Sequence, residues 1–255
     1  MSVSVEIRGN VAWIVVHRPE ARNAMTFAMY DTLFQACEDL DANPDVQVVV
    51  LRGGGGTFIA GTDIREFLNL RSGEDALAYE RRIDAVVGRV ERMRKATIAM
   101  IEGHAVGGGF TLALACDLRY AAADARLGVP IARTLGNCLS LSNYSRLLDA
   151  VGPGIAKELL FTARLLSAEE AHRLGLVNAV VPAEELEHHV EEVAKTIAGH
   201  APLTVQASKE AIARILKHRR AADGDDLVLR CYTSEDFREA VRAFLEKRKP
   251  VWKGR

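Results

Sequence analysis

The sequence predicts an α/β fold built on a buried, largely parallel sheet, and three observations predict it. Two apolar runs, 46–51 and 97–101, lack the polar alternation of a half-exposed strand and read as strands covered on both faces. A glycine-rich turn follows each, G-G-G-G-T-F-I-A-G-T-D after the first and E-G-H-A-V-G-G-G after the second. Between them Tyr79, Ile83, Val86, Val87, Val90 and Met93 fall at helical spacing, so the order is strand, helix, strand, helix, with both turns at one end of the sheet.

The other elements follow in order. Val3, Val5 and Ile7 alternate with polar residues, Gly9-Asn10 turns, and an apolar run over 11–16 completes a hairpin. After the polar loop 17–23, Phe27, Tyr30, Leu33, Phe34, Cys37 and Leu40 mark a helix that Asn43-Pro44 ends. Following Gly107-Gly108-Gly109, an Ala/Leu-rich segment predicts a buried helix up to Asp117. A strand over 118–121 comes next, then a helix starting near Asn137 or Cys138. Ser167 and Glu170 have capping-box spacing, with Gly175 closing that helix, and 177–181 is the last strand signal. Three helical segments end the chain, near 183–199, 203–219 and 225–248, broken at 200–202 and at Asp223-Gly224. Three helices cannot all pack on one sheet, so part of their apolar surface is a candidate oligomer interface.

Composition narrows the function. The 255 residues carry 33 basic and 34 acidic side chains, a balance that offers no global field for nucleic acid or an anionic membrane. Cys37, Cys116, Cys138 and Cys231 are scattered without a C-x-x-C pair, which argues against a disulfide framework or a metal site. No apolar run is long enough to span a bilayer and the N-terminus has no signal-like core, so a cytoplasmic protein without nucleic-acid or membrane partners is expected. The three glycines at 107–109 admit two readings. They permit close helix–sheet packing, or they open the first-turn amides of the following helix to an anion, such as an oxyanion that develops during a reaction.

Five motifs carry a resemblance: H-R-P-E-A-R-N-A-M (17–25), F-I-A-G-T-D-I (58–64), E-G-H-A-V-G-G-G-F-T-L-A-L-A-C-D (102–117), S-A-E-E-A-H-R-L-G-L-V-N (167–178) and F-L-E-K-R-K-P-V-W-K-G-R (244–255). Together they resemble the crotonase, or enoyl-CoA hydratase/isomerase, superfamily from about residue 3 to the C-terminus. The resemblance implies a crotonase-like spiral of ββα units with the acyl-CoA site (1–195) and a C-terminal helical trimerisation region (196–255), assembled as a homotrimer or a hexamer. It implies an acyl-CoA thioester as substrate, with coenzyme A part of that substrate and no separate cofactor or metal. By position, the backbone amides of Ala60 and Gly108 would form the oxyanion hole. Ala60, Gly61, Thr62 and Asp63 would line the coenzyme A arm, and Arg22 would lie near its phosphates.

The chain departs from the family's hydratases at both glutamate positions, which here read Thr111 and Ile131, and 127–148 contains no Asp or Glu. Hydration needs one group to activate water and one to deliver the α-proton. Nearby stand Thr111, Arg133, Asn137 and Cys138. Cys138 would be a nucleophile or proton donor if a helix N-terminus lowered its pKa, or else a small core residue. Thr111 would bond a water or substrate, or its own helix backbone. The expectation is enolate chemistry other than simple hydration, such as decarboxylation, C–C cleavage or thioester hydrolysis. The alternatives are a catalytically silent acyl-CoA-binding subunit, or a hydratase using a carboxylate from a mobile segment 66–80, where Glu66, Glu74, Asp75 and Glu80 lie.

Overall fold

The computed structural model describes residues 2–217 and 224–254. Strands β1 (Ser2–Arg8) and β2 (Val11–His17) form the expected hairpin around Gly9, whose φ of 60° suits glycine. Helix α1 (Phe27–Ala42) starts where Thr26 accepts from the Met29 amide. Then come β3 (Val48–Gly53), α2 (Gly73–Glu91), β4 (Ala96–Ile101), β5 (His104–Val106), α3 (Gly108–Ala115), β6 (Leu118–Ala122), β7 (Arg126–Gly128), α4 (Ile131–Thr134) and α5 (Leu141–Thr162). The chain continues through β8 (Leu166–Ser167), α6 (Ala168–Arg173), β9 (Ala179–Val181), α7 (Ala183–Ala198), α8 (Pro202–Lys217), α9 (Asp225–Tyr232) and α10 (Glu235–Leu245).

The main sheet runs β1-β2-β3-β4-β6-β9, antiparallel only at its first pair. Its strands alternate between two cores, which explains their continuous apolar runs. Ala12, Ile14, Val16, Val49, Leu51, Ala99 and Ile101 face the larger core with α1, α2 and α3. Val11, Trp13, Val48, Val50, Ile98 and Met100 face the other, which α7 covers with Leu186, Val190 and Ala194, spaced four apart. A second sheet, β5-β7-β8, stands beside the first.

Three expectations need correction. Helix α5 begins at Leu141 rather than near Asn137, because Ser140 takes the cap and accepts from the Asn143 amide. The third terminal segment is two helices, since Ser234 caps a new start by accepting from Phe237. The segment 66–80 is not a mobile loop: it holds most of a 3-10 turn (Ile64–Asn69) and the first turns of α2, closed by a capping box between Ser72 and Asp75. The expected end of a helix near 219 and the break at Asp223 lie outside the described residues. Among the described residues, no helix is long and apolar enough to cross a membrane.

Candidate active site

The fold brings the two glycine turns into contact. Beyond β3 the chain returns beside β5, with Phe58 donating to the Glu102 carbonyl at 2.8 Å, Ile59 to His104 at 3.1 Å, and Val106 back to Ile59 at 3.1 Å. The start of α3 presses on this strip: a Cβ on Gly109 would fall 2.0 Å from the Ile59 carbonyl oxygen, so only glycine fits. A Cβ on Gly108 would fall 2.6 Å from the Tyr30 hydroxyl and 3.6 Å from Thr62 Oγ1. Gly108 is the first residue of α3, and its amide has no acceptor within the helix. At the far end of α3, the Arg119 guanidinium donates to the Cys116 carbonyl at 2.6 Å and to Ala113 at 3.2 Å.

The loop 18–25 clamps the other edge of the strip. Asn23 is buried, accepts from the Arg18 amide at 2.7 Å and donates to the carbonyls of Gly54 (2.8 Å) and Thr57 (2.6 Å). Arg18, also buried, pairs with Asp63 at 2.8 Å, and Arg65 pairs with the same oxygen at 2.7 Å. The Arg65 guanidinium first, and Arg18 behind it, hold the Asp63 carboxyl far below the usual carboxylate range. Asp63 thus fastens the loop to the strip and caps the 3-10 turn through the Arg65 amide. The side chain of Arg22 makes no hydrogen bond or ion pair among the described residues.

Main-chain directions along the strip correct one expectation. The Ala60 amide donates to the Arg22 carbonyl at 3.1 Å, so it is not an open donor. Met25 donates to the Gly61 carbonyl at 2.8 Å and accepts from the Asp63 amide at 2.9 Å, the two bonds that flank a parallel bridge to Thr62. In that geometry the N–H of Thr62 itself points away from Met25. It has no acceptor among the described residues. Thr62 and Gly108 are therefore open amides on the two facing turns. The sequence carries no sign of this, because the direction depends on pairing with a residue 37 positions away (62 − 25 = 37).

At the two positions without glutamate, the structure seats residues that are neither acid nor base near neutral pH. Thr111 is 1% exposed and its hydroxyl donates to the Gly108 carbonyl at 2.8 Å. Ile131 is 8% exposed and packs in the core. Cys138 lies ahead of α5 rather than on its first turn, and its thiol is buried against that of Cys231. The Cys231 contact, then burial, pushes the Cys138 thiol up, not down. Arg133 belongs to the short helix α4. Asn137 donates to the Tyr232 hydroxyl at 2.9 Å.

Comparison with known proteins decides the family. A family model described as enoyl-CoA hydratase/isomerase matches residues 6–255. The chain belongs to the enoyl-CoA hydratase/isomerase family. It is 35% identical to the short-chain-enoyl-CoA hydratase of Clostridium acetobutylicum, over 97% of this chain and 96% of that protein. It is 36% identical to the crotonyl-CoA hydratase of Syntrophomonas wolfei, over 97% of this chain and 96% of that one. Among solved structures, a methylmalonyl-CoA decarboxylase in complex with 2-nitronate-propionyl-CoA matches with a TM-score of 0.90 and 32% identity, covering 100% of this chain and 99% of that one. The protein is thus an acyl-CoA enzyme with the α/β crotonase fold and C-terminal helices.

In this family member the carboxylates of segment 66–80 have separate fates. Glu66 accepts from the Phe27 amide at 3.3 Å, Asp75 is used in the capping box, and Glu74 is exposed in the first turn of α2. Glu80 alone of the four is buried, where its carboxyl accepts a short hydrogen bond from the Tyr232 hydroxyl. Burial is the main cause that raises its pKa to about 8. Its helix neighbour Tyr79 bonds Thr62 Oγ1 at 2.9 Å, and Tyr30 bonds the same oxygen at 3.0 Å.

Proposed function

We propose that this enzyme holds a thioester enolate between the amides of Thr62 and Gly108 and that its reaction is not simple hydration. The observation that carries the reading is the pair Thr111 and Ile131, buried and free of acid or base at the positions where hydratases of the family place glutamates. Donors that already point at the developing oxyanion need no reorganisation, and each such donor contributes about 3 kcal/mol. At the start of α3 the helix dipole adds to the effect.

Decarboxylation of a malonyl-type thioester suits such a site best. Loss of carbon dioxide leaves the bonding electron pair in the enolate, so no base is needed to form it. The similarity to a methylmalonyl-CoA decarboxylase supports this choice. Gly61, Thr62 and the neighbouring strip would lie along the pantetheine arm, and the unpaired Arg22 would meet the coenzyme A phosphates. Asp63, held by Arg18 and Arg65, would keep the strip in place rather than touch ligand. The same reading makes the protein a cytoplasmic homotrimer or dimer of trimers. Leu203, Ile212 and Ile215 on α8, which are 78%, 60% and 66% exposed, support assembly through that helix.

Mass spectrometry of coenzyme A esters after incubation with the enzyme tests the reading. Loss of carbon dioxide from a malonyl-type ester is expected. Gain of water on crotonyl-CoA at ordinary hydratase rates would overturn it.

A further inference from the structure

Glu80 is 7% exposed, and no Lys or Arg pairs with it among the described residues. A buried carboxyl without a cation is kept neutral or is costly to keep. Its surroundings hold it in one orientation. Tyr232 spends its only hydroxyl proton on Glu80 Oε1 and accepts from Asn137 Nδ2 at 2.9 Å, while Asn137 Oδ1 is buried with no partner. The proton of a neutral Glu80 is therefore not consumed by Tyr232.

Adjacent residues of α2 contact the two segments that flank the open amides. On one side Tyr79 reaches Thr62, beside the open amides. On the other, Glu80 meets the segment that follows Ile131, through the Ser140 amide and, by way of Tyr232, Asn137. Ile131 and Gly136 are joined by a 2.8 Å bond, so Asn137 leaves directly from the turn where hydratases carry their second glutamate.

We infer that Glu80 is the proton donor and acceptor of this site, protonating the α-carbon of a thioester enolate held at Thr62 and Gly108. The inference rests on the enolate reading above. In the step the O–H bond of Glu80 breaks, the enolate electron pair forms the new C–H bond, and the thioester carbonyl is restored. Glu80 is left as a carboxylate that still accepts from Tyr232. In reverse the carboxylate removes the same proton. Tyr232 and Asn137 are positioning residues. Burial keeps the acid neutral at pH 7 against the lowering pull of Tyr232, with Asp84, Tyr30, Tyr79, Tyr144 and Cys138 as the other titratable groups around it.

Propionyl-CoA in D2O tests this, because a saturated ester can neither add water nor lose carbon dioxide. The native enzyme is expected to place deuterium at the α-carbon. Glu80→Gln, which keeps an acceptor for Tyr232, is expected to slow exchange by about 100-fold or more while calorimetric binding of propionyl-CoA is unchanged. Tyr232→Phe is expected to move the pH profile of exchange upward, since it removes a group that favours the carboxylate. Exchange as fast in Glu80→Gln as in the native enzyme overturns the role of Glu80 and leaves the enolate reading standing. Binding by the native enzyme with no exchange at all sinks both. Should Glu80→Gln not fold, an unmoved profile in Tyr232→Phe overturns the inference.

Discussion

The Arg22 carbonyl accepts the Ala60 amide at 3.1 Å, and this bond leaves Thr62 as the strip's donor beside Gly108. Arg22 can turn its carbonyl that way because it adopts a left-handed conformation, φ 50°, at the end of a short 3-10 turn. A loop residue thereby selects which main-chain group is free for a ligand.

Amide exchange measured by NMR reads this selection directly. The Ala60 amide is expected to be protected in the free protein and the Thr62 amide to exchange fast. A bound coenzyme A thioester should slow Thr62 and leave Ala60 unchanged. Equal protection of both amides in the free protein would show that the strip is turned otherwise.

Two adjacent alanine substitutions should separate packing from function. Gly109→Ala places a methyl 2.0 Å from a backbone oxygen that cannot retreat, and is expected to cost about 3 kcal/mol of stability in urea unfolding. Gly108→Ala meets the Tyr30 hydroxyl, the end of a side chain, closely, and Thr62 and Gly61 at ordinary contact distance. It should cost about 1 kcal/mol yet lower activity by about 100-fold, because the methyl enters the space beside the open amides.

Asp63 makes stability depend on pH in one direction. Its folded pKa is depressed, so its contribution is fully present above the unfolded value near 3.8 and is lost as pH falls toward the folded value. Asp63→Asn should therefore destabilise by about 3 kcal/mol at pH 7, with the gap to the native protein closing only below about pH 4. A gap that stays constant to pH 2 in denaturant titrations would contradict the ion-pair assignment.

The four thiols should differ sharply in reactivity. Cys231 is half-buried, and the Cys138 thiol beside it lowers its pKa, whereas burial pushes Cys37 and Cys116 up to about 12. Iodoacetamide on the folded protein is expected to label Cys231 first. Cys138→Ala should slow that labelling at pH 7 by removing the stabilising hydrogen bond. Peptide mapping that finds Cys37 or Cys116 labelled before Cys231 would refute this.

Periodicity and capping chemistry made most elements readable from the sequence. The strands of the main sheet reach two cores, and the capping box read at Ser167 and Glu170 stands at the start of α6. Strand β5 was not readable, because three residues between glycines are too few to show alternation. The start of α5 was misplaced since Leu139 and Leu141 continue an apolar pattern across its cap. Two features of the site were beyond local reading for a common reason. The direction of the Thr62 amide depends on Met25, and the burial of Glu80 depends on Tyr232, which is 152 residues away.

The Arg119 guanidinium ties down the trailing carbonyls of α3 and also donates to the Leu176 carbonyl at 2.6 Å. The helix is eight residues long, so a fixed point about 12 Å behind Gly108 sets where its amide stands. None of that anchorage involves α2 or α9, which carry Glu80 and Tyr232. The Gly108 amide thus has a rear mount in Arg119 that substitutions at Glu80 or Tyr232 leave in place.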